Sequence, residues 1–282
     1  MIKPVLPFLE TMATQVCNLS CEGCTNYSDL TYSGYVRWLD MKQQISSWLQ
    51  IIDIADFGIM GGEPLINPEI YDCVSGVRDL LPSSQIRVTT NGLLLDRHLD
   101  ILDLIHNIGN IVFKITVHKE TPELLECIDY IFKRYVWEPV TEFGINRWKT
   151  DRNVRFQINR PERFIKTFQG TYATMKPYNS NVSDSFAMCI QQTCPLLYNG
   201  KIYKCSTQGL LKDTLARFNN PNYPLWEPHM VDGISTADSI ESIQAFINNF
   251  GKPHSICAMC PSATDVGALI EHHATWKNKK IL

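Results

Sequence analysis

Three cysteines lie within eight residues near the start of the chain. The stretch "CNLSCEGC" places Cys17, Cys21 and Cys24 at the spacing C-x3-C-x2-C. A tetrahedral zinc site needs a fourth ligand, and this stretch has no fourth cysteine and no histidine nearby. Three thiolates can instead hold three irons of a [4Fe-4S] cluster and leave the fourth iron open for a ligand. The spacing therefore favours a metal centre with one free coordination position.

Composition limits the classes of partner and compartment. The chain has 282 residues and a formal net charge of -3, which gives no electrostatic reason to expect nucleic acid or a membrane surface as a partner. No run of about eighteen apolar residues occurs, and the start lacks the apolar region of a secretion signal, so we predict a cytoplasmic protein. Clustered cysteines in a reducing compartment are typical of metal binding or catalysis rather than of disulfides. Cys73 and Cys127 stand apart from the others and are interpreted as buried structural thiols.

Short apolar runs alternate with segments of helical periodicity over the first 160 residues. The predicted strands are residues 8–14, 55–61, 85–90, 110–118 and 153–159, and the predicted helices are residues 39–52, 68–81, 98–108 and 122–136. Such alternation predicts parallel βαβ units, and hence an α/β protein with an open or closed barrel.

The alternation stops after about residue 170. The stretch "CPLLYNGKIYKC" (194–205) carries two strand-like arms around Asn199-Gly200, which predicts a β-hairpin. A loop is predicted at 218–228 and a helix at 237–250, followed by "CAMC". The arginine-rich region 137–188 is expected to line the mouth of the barrel. We therefore predict two parts, residues 1–170 and a small cysteine-rich α+β module at 171–282.

Two motifs resemble those of the radical S-adenosylmethionine (radical SAM) superfamily. They are "CNLSCEGC" and "GIMGGEPLINP" (58–68), each placed after a predicted strand. The resemblance implies a partial (β/α)6 TIM-like barrel in which Cys17, Cys21 and Cys24 hold a [4Fe-4S] cluster that chelates S-adenosylmethionine. It also implies reductive cleavage of that cofactor to a 5'-deoxyadenosyl radical, which abstracts hydrogen from substrate, and an electron donor such as flavodoxin or ferredoxin.

The "GGEP" run suits a ligand-binding turn. Gly61 and Gly62 allow a close backbone approach, Glu63 offers a carboxylate to the cofactor's ammonium, and Pro64 fixes the exit of the turn.

Further contacts to the cofactor follow from the resemblance. Thr90, Asn91 and Thr116 end predicted strands and are expected to touch its methionine or ribose part. The residue before the third cysteine is often aromatic in this superfamily and is Gly23 here, so Tyr27 or the backbone is expected to contact adenine. Among the histidines, His118 at a strand end is the candidate catalytic base.

The C-terminal cysteines resemble the auxiliary modules called twitch or SPASM. This implies a second [4Fe-4S] cluster held by Cys205, Cys257 and Cys260, with Cys189 or Cys194 as the fourth ligand. A ribbon-like structural zinc site is the alternative.

These features together predict a radical SAM oxidoreductase. Its expected substrate is a small sugar- or cyclitol-like molecule that undergoes net oxidation, as in dehydrogenases. The alternatives are a radical SAM epimerase, a peptide-modifying maturase, or a non-catalytic iron-sulfur or zinc-stabilised protein.

Overall fold

The computed structural model describes residues 3–135, 138–139, 147–149 and 152–277. The strands are β1 (Val5–Leu6), β2 (Leu9–Thr14), β3 (Leu19–Cys21), β4 (Asp53–Ile54), β5 (Asp56–Gly61), β6 (Gln85–Thr90), β7 (Ile111–Thr116), β8 (Glu138–Pro139), β9 (Arg147–Lys149), β10 (Arg155–Asn159), β11 (Arg163–Ile165), β12 (Leu196–Tyr198), β13 (Lys201–Tyr203), β14 (Leu269–Glu271) and β15 (Ala274–Trp276). The helices are α1 (Trp38–Leu49), α2 (Ile70–Leu80), α3 (Asp100–Ile108), α4 (Pro122–Tyr135), α5 (Val182–Met188), α6 (Ser206–Arg217), α7 (Tyr223–Trp226) and α8 (Ile240–Asn248).

One central sheet organises the molecule. Its strand order is β13-β12-β2-β5-β6-β7-β10-β9-β8, and every pair from β12 through to β10 is parallel. Antiparallel strands flank this parallel block, with β13 at one edge and β9 and β8 at the other. The two edge strands do not pair with each other among the described residues. The fold is therefore mixed α/β with a central parallel sheet, and it is not a closed barrel.

The main core lies between this sheet and the helices that connect its strands. Trp48 on α1 belongs to the same buried cluster as Phe57, Phe113 and Phe156 of the sheet, and each is at most 1% exposed. Burial of a large apolar side chain stabilises a fold by roughly 1.5–3 kcal/mol. Cys73 and Cys127 also lie in this core, where they act as small apolar side chains.

Each strand and helix predicted in the first 160 residues matches an observed element to within a few residues, and the hairpin β12–β13 is confirmed. The short strands β1, β3, β4, β8 and β9 were not predicted. Two expectations in the second part were incomplete. Helix α6 was not predicted, because its residues 206–211 are all buried and give no alternation of polar and apolar faces. The loop predicted at 218–228 contains the short helix α7. Of the region 137–188, Trp137 and several neighbours lie outside the described residues.

The second part of the chain packs closely against the first. Strand β12 pairs in parallel with β2, so the central sheet runs across the predicted boundary at residue 170. A second core joins Met12 and Tyr27 to Leu210 and Trp226. The division into residues 1–170 and 171–282 stays a prediction. Among the described residues, no helix combines the length and the apolar character needed to cross a bilayer.

Glu10 on β2 is a buried carboxyl near the charged side chains of Lys114 and Arg87. Only 8% of its surface is exposed. Burial raises its pKa from 4.5 to about 8, although the charges of Lys114 and Arg87 oppose that rise. The folded chain therefore keeps this proton over a pH range in which the unfolded chain releases it.

We expect Glu10 to make the folded protein less stable as pH rises. The free energy of unfolding should fall between about pH 4.5 and about pH 8, because only the unfolded chain loses the proton there. Glu10→Gln should remove part of that slope and be more stable than wild type at pH 8. Urea denaturation of the metal-free protein at pH 5 and pH 8 measures this. Glu123→Gln, at an exposed position of α4, is the control, and an unchanged slope in Glu10→Gln would contradict the expectation.

Candidate cofactor and metal sites

The carboxyl ends of β2, β5, β6 and β7 meet at one edge of the sheet and border a cavity of about 180 Å³. The loop after β2 brings all three N-terminal cysteines to this cavity. The predicted site residues that line it are Cys17, Cys21, Cys24, Gly61, Gly62, Thr90, Asn91, Thr116 and His118. Parallel strands place the residues that follow them at a common edge, and this is where such folds bind ligands.

Gly61 and Gly62 allow the end of β5 to touch the chain that leads into the cysteine loop. A Cβ atom at Gly61 would lie 2.3 Å from the carbonyl oxygen of Thr14, and one at Gly62 would lie 2.3 Å from that of Val16. The Gly62 and Glu63 amides donate to those same two oxygens, each at 2.8 Å. Any larger residue would push the cysteine loop away from the sheet. The glycines therefore serve a backbone contact within the protein, besides lining the cavity.

Glu63 is fully buried beneath the cavity rather than exposed within it. Its carboxylate accepts hydrogen bonds from the Thr90 hydroxyl at 2.7 Å and from the backbone amides of Asn91 at 2.7 Å and Leu65 at 3.0 Å. Burial raises the pKa of this carboxyl to about 7, and those donors limit the rise. Glu63 thus joins the ends of β5 and β6, and its pairing with a cofactor ammonium stays a prediction.

Asn18 is a site residue that the sequence analysis missed. The Asn91 side-chain amide donates to Asn18 Oδ1 at 2.7 Å and lies 3.9 Å from Cys17 Sγ. Asn18 Nδ2 is buried and has no hydrogen-bond partner among the described residues. An unpartnered donor beside a thiol suits an added acceptor such as a sulfide or thiolate. The available signal was a polar residue directly after the first cysteine.

Cys17 and Cys21 are buried and Cys24 is half-buried, and loss of solvation keeps all three thiols protonated in the absence of metal. Burial raises the pKa of Cys17 to about 12, with the Glu63 carboxylate as the second cause, and burial also raises the pKa values of Cys21 and Cys24. Metal binding to such thiols must release protons and becomes stronger as pH rises.

The structure does not place two predicted contacts at this cavity. Tyr27 is 1% exposed and packs in the second core against Phe168 and Tyr172, with its hydroxyl donating to Thr207 O. Its large apolar ring gains more from that core than a cavity wall offers, so it is not positioned to contact adenine. Pro64 is buried at the start of a 3-10 turn and fixes the chain after Glu63.

The C-terminal strand β15 covers the cysteine loop. It pairs antiparallel with β3, which places Ala274 opposite Cys21. Lys277 then donates from its backbone to Asn18 O, and its ammonium donates to Ser28 O at 2.5 Å and Leu30 O at 2.6 Å. No side-chain pattern in this segment predicts the pairing, because pairing with a distant strand depends on backbone groups that every residue carries.

Four of the five C-terminal cysteines line a second, small cavity of about 40 Å³. They are Cys189, Cys205, Cys257 and Cys260. Burial and then the neighbouring thiols of this set raise the pKa of Cys260. The Ser185 hydroxyl donates to Cys257 O at 2.6 Å and Cys260 O at 3.1 Å, which fixes the C-x2-C turn.

Cys194 does not line this second cavity. It is half-buried near Glu10, and burial and then the charge of Glu10 raise its pKa to about 12. The structure thus distinguishes the two cysteines that sequence spacing left equivalent.

Neither cysteine set has the spacing of a preformed zinc site. Thiolates around tetrahedral zinc lie roughly 3.8 Å apart, given Zn–S bonds of about 2.3 Å. Among the described residues, the single group of three Cys, His, Asp or Glu ligand atoms within 4.8 Å of one another is Cys21, His118 and His272. The wider spacing of the two cysteine sets fits a larger metal group.

The two cavities share a wall. Thr25, Ile165 and Ile190 line both. The candidate cofactor site and the four-cysteine site are therefore neighbours, separated by a few mostly apolar side chains.

Comparison with known proteins finds a family match in the N-terminal part of the chain. The family model of the radical SAM superfamily matches residues 12–143. Molybdenum cofactor biosynthesis protein 1 of Dictyostelium discoideum is 25% identical over 154 residues, which are 54% of this chain and 23% of that protein. GTP 3',8-cyclase of Microcystis aeruginosa is 29% identical over 103 residues, which are 34% of this chain and 31% of the cyclase. The chain thus spans less than a third of the length of these relatives.

Among solved structures, BtrN in complex with AdoMet and 2-DOIA aligns over 94% of this chain and 96% of that chain. The identity is 12% and the TM-score is 0.47, a likeness too low to carry an argument.

We expect Lys277 to hold the cysteine loop closed. Lys277→Met removes both ammonium hydrogen bonds, so it should destabilise the metal-free protein by about 1–3 kcal/mol and speed the loss of iron to a chelator. Thermal denaturation and the rate of iron release measure the two effects. Lys212→Met, at an exposed position of α6, should leave both unchanged. Equal iron release from the two variants would contradict this role.

Proposed function

We propose that the radical SAM superfamily domain at residues 12–143 makes this chain a radical SAM enzyme that oxidises a small sugar- or cyclitol-like substrate. One observation carries the proposal: Cys17, Cys21 and Cys24 line the same cavity as the strand-end residues Gly62, Asn91 and the others named above. The family implies S-adenosylmethionine and a [4Fe-4S] cluster as cofactors. When bound, they supply one electron and a carbon-centred radical that takes hydrogen from the substrate.

The residues of the first cavity fit an open cluster. Cys17 and Cys21 are buried and Cys24 is half-buried, and together they offer three ligands, while the Asn18 amide beside Cys17 keeps one donor without a partner among the described residues. Gly62 and Asn91 keep the cavity edge free of bulky side chains beside those thiols. Thr90 and Thr116 add hydroxyl groups that can orient a polar cofactor.

The four cysteines of the second cavity are our candidate ligands for an auxiliary cluster. We assign Cys189 rather than Cys194 as the fourth ligand, because Cys189 lines this cavity with the other three cysteines and Cys194 does not. Their spacing, wider than a zinc tetrahedron, favours an iron-sulfur cluster over zinc. A cluster with four thiolate ligands has no open iron, so it would carry electrons rather than bind substrate.

The neighbouring positions of the two cavities support net oxidation. Removal of a hydrogen atom leaves a substrate radical, which must lose one more electron and one proton to give a product oxidised by two electrons. Thr25, Ile165 and Ile190 form the wall between the two cavities, which supports a short path for that electron toward the four-cysteine site. His118 lines the cavity, and burial lowers its pKa to about 4, so it is neutral and can accept the proton.

The matched relatives do not identify the substrate of this chain. The GTP 3',8-cyclase match covers 34% of this chain and 31% of the cyclase, so it does not extend over the whole of either protein. An isomeric product in place of an oxidised one would favour the epimerase alternative, and a modified peptide would favour the maturase.

The first test concerns the three N-terminal cysteines. Replacing all three by alanine should abolish formation of 5'-deoxyadenosine from S-adenosylmethionine and dithionite. Iron in the anaerobically reconstituted protein should drop from about eight to about four per chain, since each cluster holds four. Cys127→Ala, in the main core, should change neither. Persistent 5'-deoxyadenosine in the triple variant would refute the enzyme assignment.

The second test separates Cys189 from Cys194. Cys189→Ala should reduce iron to about four per chain, whereas Cys194→Ala should retain about eight. With a panel of amino- and hydroxy-cyclitols and sugars, Cys257→Ala plus Cys260→Ala should still form 5'-deoxyadenosine but lose the product that lacks two hydrogens. One zinc with four irons in wild type would refute the auxiliary cluster while leaving the first site intact.

A further inference from the structure

Cys21, His118 and His272 form a compact group of metal-ligand atoms. One ligand atom from each lies within 4.8 Å of the other two. The imidazole nitrogens His118 Nδ1 and His272 Nε2 are 3.0 Å apart. Two imidazole nitrogens on tetrahedral zinc lie roughly 3.3 Å apart, given Zn–N bonds of about 2.0 Å. The group therefore needs little rearrangement to bind a single ion.

Three separately anchored segments hold these side chains. Cys21 ends β3, which pairs with β15. His118 follows β7, where the Val117 amide donates to Asn159 O at 2.8 Å. His272 lies between β14 and β15, and its backbone amide donates to Glu162 O at 2.9 Å. The geometry is thus set by the fold rather than by one flexible loop.

The imidazole of His272 also has unused bonding capacity. Its Nδ1 is buried and has no hydrogen-bond partner among the described residues. The Phe164 ring packs 4.3 Å from the His272 ring and 5.7 Å from that of His118, measured between centroids, and restricts both. Nε2 is the nitrogen that faces His118 and shares a hydrogen bond with its Nδ1, a contact that a bound ion would replace, and the unpartnered Nδ1 lies on another edge of the ring.

We propose that Cys21, His118 and His272 bind one divalent transition-metal ion, with zinc the best match, in the cluster-free protein. One thiolate and two imidazoles suit zinc, and three protein ligands leave a fourth position toward the cavity that Cys21 and His118 line. Because Cys21 is also a candidate cluster ligand, zinc and the cluster exclude each other. Only this last consequence rests on the proposed function.

Cobalt is the probe for the site itself. The full-length metal-free protein carrying Cys257→Ala and Cys260→Ala, which disables the four-cysteine set, is titrated anaerobically with Co²⁺. We expect one ion per chain, with the intense visible bands of tetrahedral cobalt and a thiolate charge-transfer band, both removed by one equivalent of Zn²⁺. Adding His118→Ala or His272→Ala should weaken binding by at least about tenfold.

Matched variants identify the ligands. Cys17→Ala, Cys24→Ala and His273→Ala should keep the cobalt spectrum in the same background. Loss of the spectrum in Cys17→Ala, or its persistence in both His118→Ala and His272→Ala, would overturn the proposal. Circular dichroism checks folding, and His118→Gln and His272→Gln replace any alanine variant that unfolds, with the same loss of cobalt expected.

A competition experiment tests separately whether zinc and the cluster exclude each other. In the same background, one equivalent of Zn²⁺ added before iron and sulfide should slow cluster assembly, and His272→Ala should remove that delay. Equal delay in both proteins would refute mutual exclusion. No cluster in either protein without zinc would instead refute the proposed function, while the cobalt titration would still decide the metal site.

Discussion

The close contact between the end of β5 and the chain entering the cysteine loop sets the geometry of the site. Two backbone oxygens, of Thr14 and Val16, accept from the amides of Gly62 and Glu63 at 2.8 Å. There is no room for a Cβ atom at Gly61 or Gly62, since each would lie 2.3 Å from one of those oxygens. Backbone atoms cannot move aside as a side chain can, so this contact fixes where the loop leaves the sheet. The thiols then face the ends of β6 and β7.

A buried carboxylate connects this turn to the next strand, β6. Glu63 binds Thr90 and the Asn91 amide, and Asn91 in turn binds Asn18 beside Cys17. A buried charge without partners is costly, whereas a carboxylate with three donors is well compensated. This chain of hydrogen bonds connects the "GGEP" turn to the first thiol through protein groups alone. It explains why a glutamate on this turn supports the site before any cofactor binds.

The C-terminal part of the chain completes both candidate sites. Strand β15 and Lys277 close over the cysteine loop. The ends of α5 and β13, together with the 3-10 turn after α8, bring four cysteines to a cavity that shares a wall with the first. The segments that meet here are far apart in sequence, so their contacts form only when the chain is folded as a whole. The same arrangement brings His272 to His118 and Cys21.

The sequence by itself determined the strands and helices of the parallel sheet, the three-cysteine loop and the glycine turn. These depend on hydrophobic periodicity and on short-range spacing, which are local properties. Only the tertiary structure decided that Cys189 joins Cys205, Cys257 and Cys260 while Cys194 lies beside Glu10, because the direction of each thiol depends on how α5 and β12 pack. Tyr27 likewise went to the second core rather than to the cofactor cavity, since burial against Phe168 and Tyr172 is a long-range contact. The pairing of β15 with β3 has no signature in side-chain pattern, because backbone hydrogen bonds that any residue can make hold those strands together.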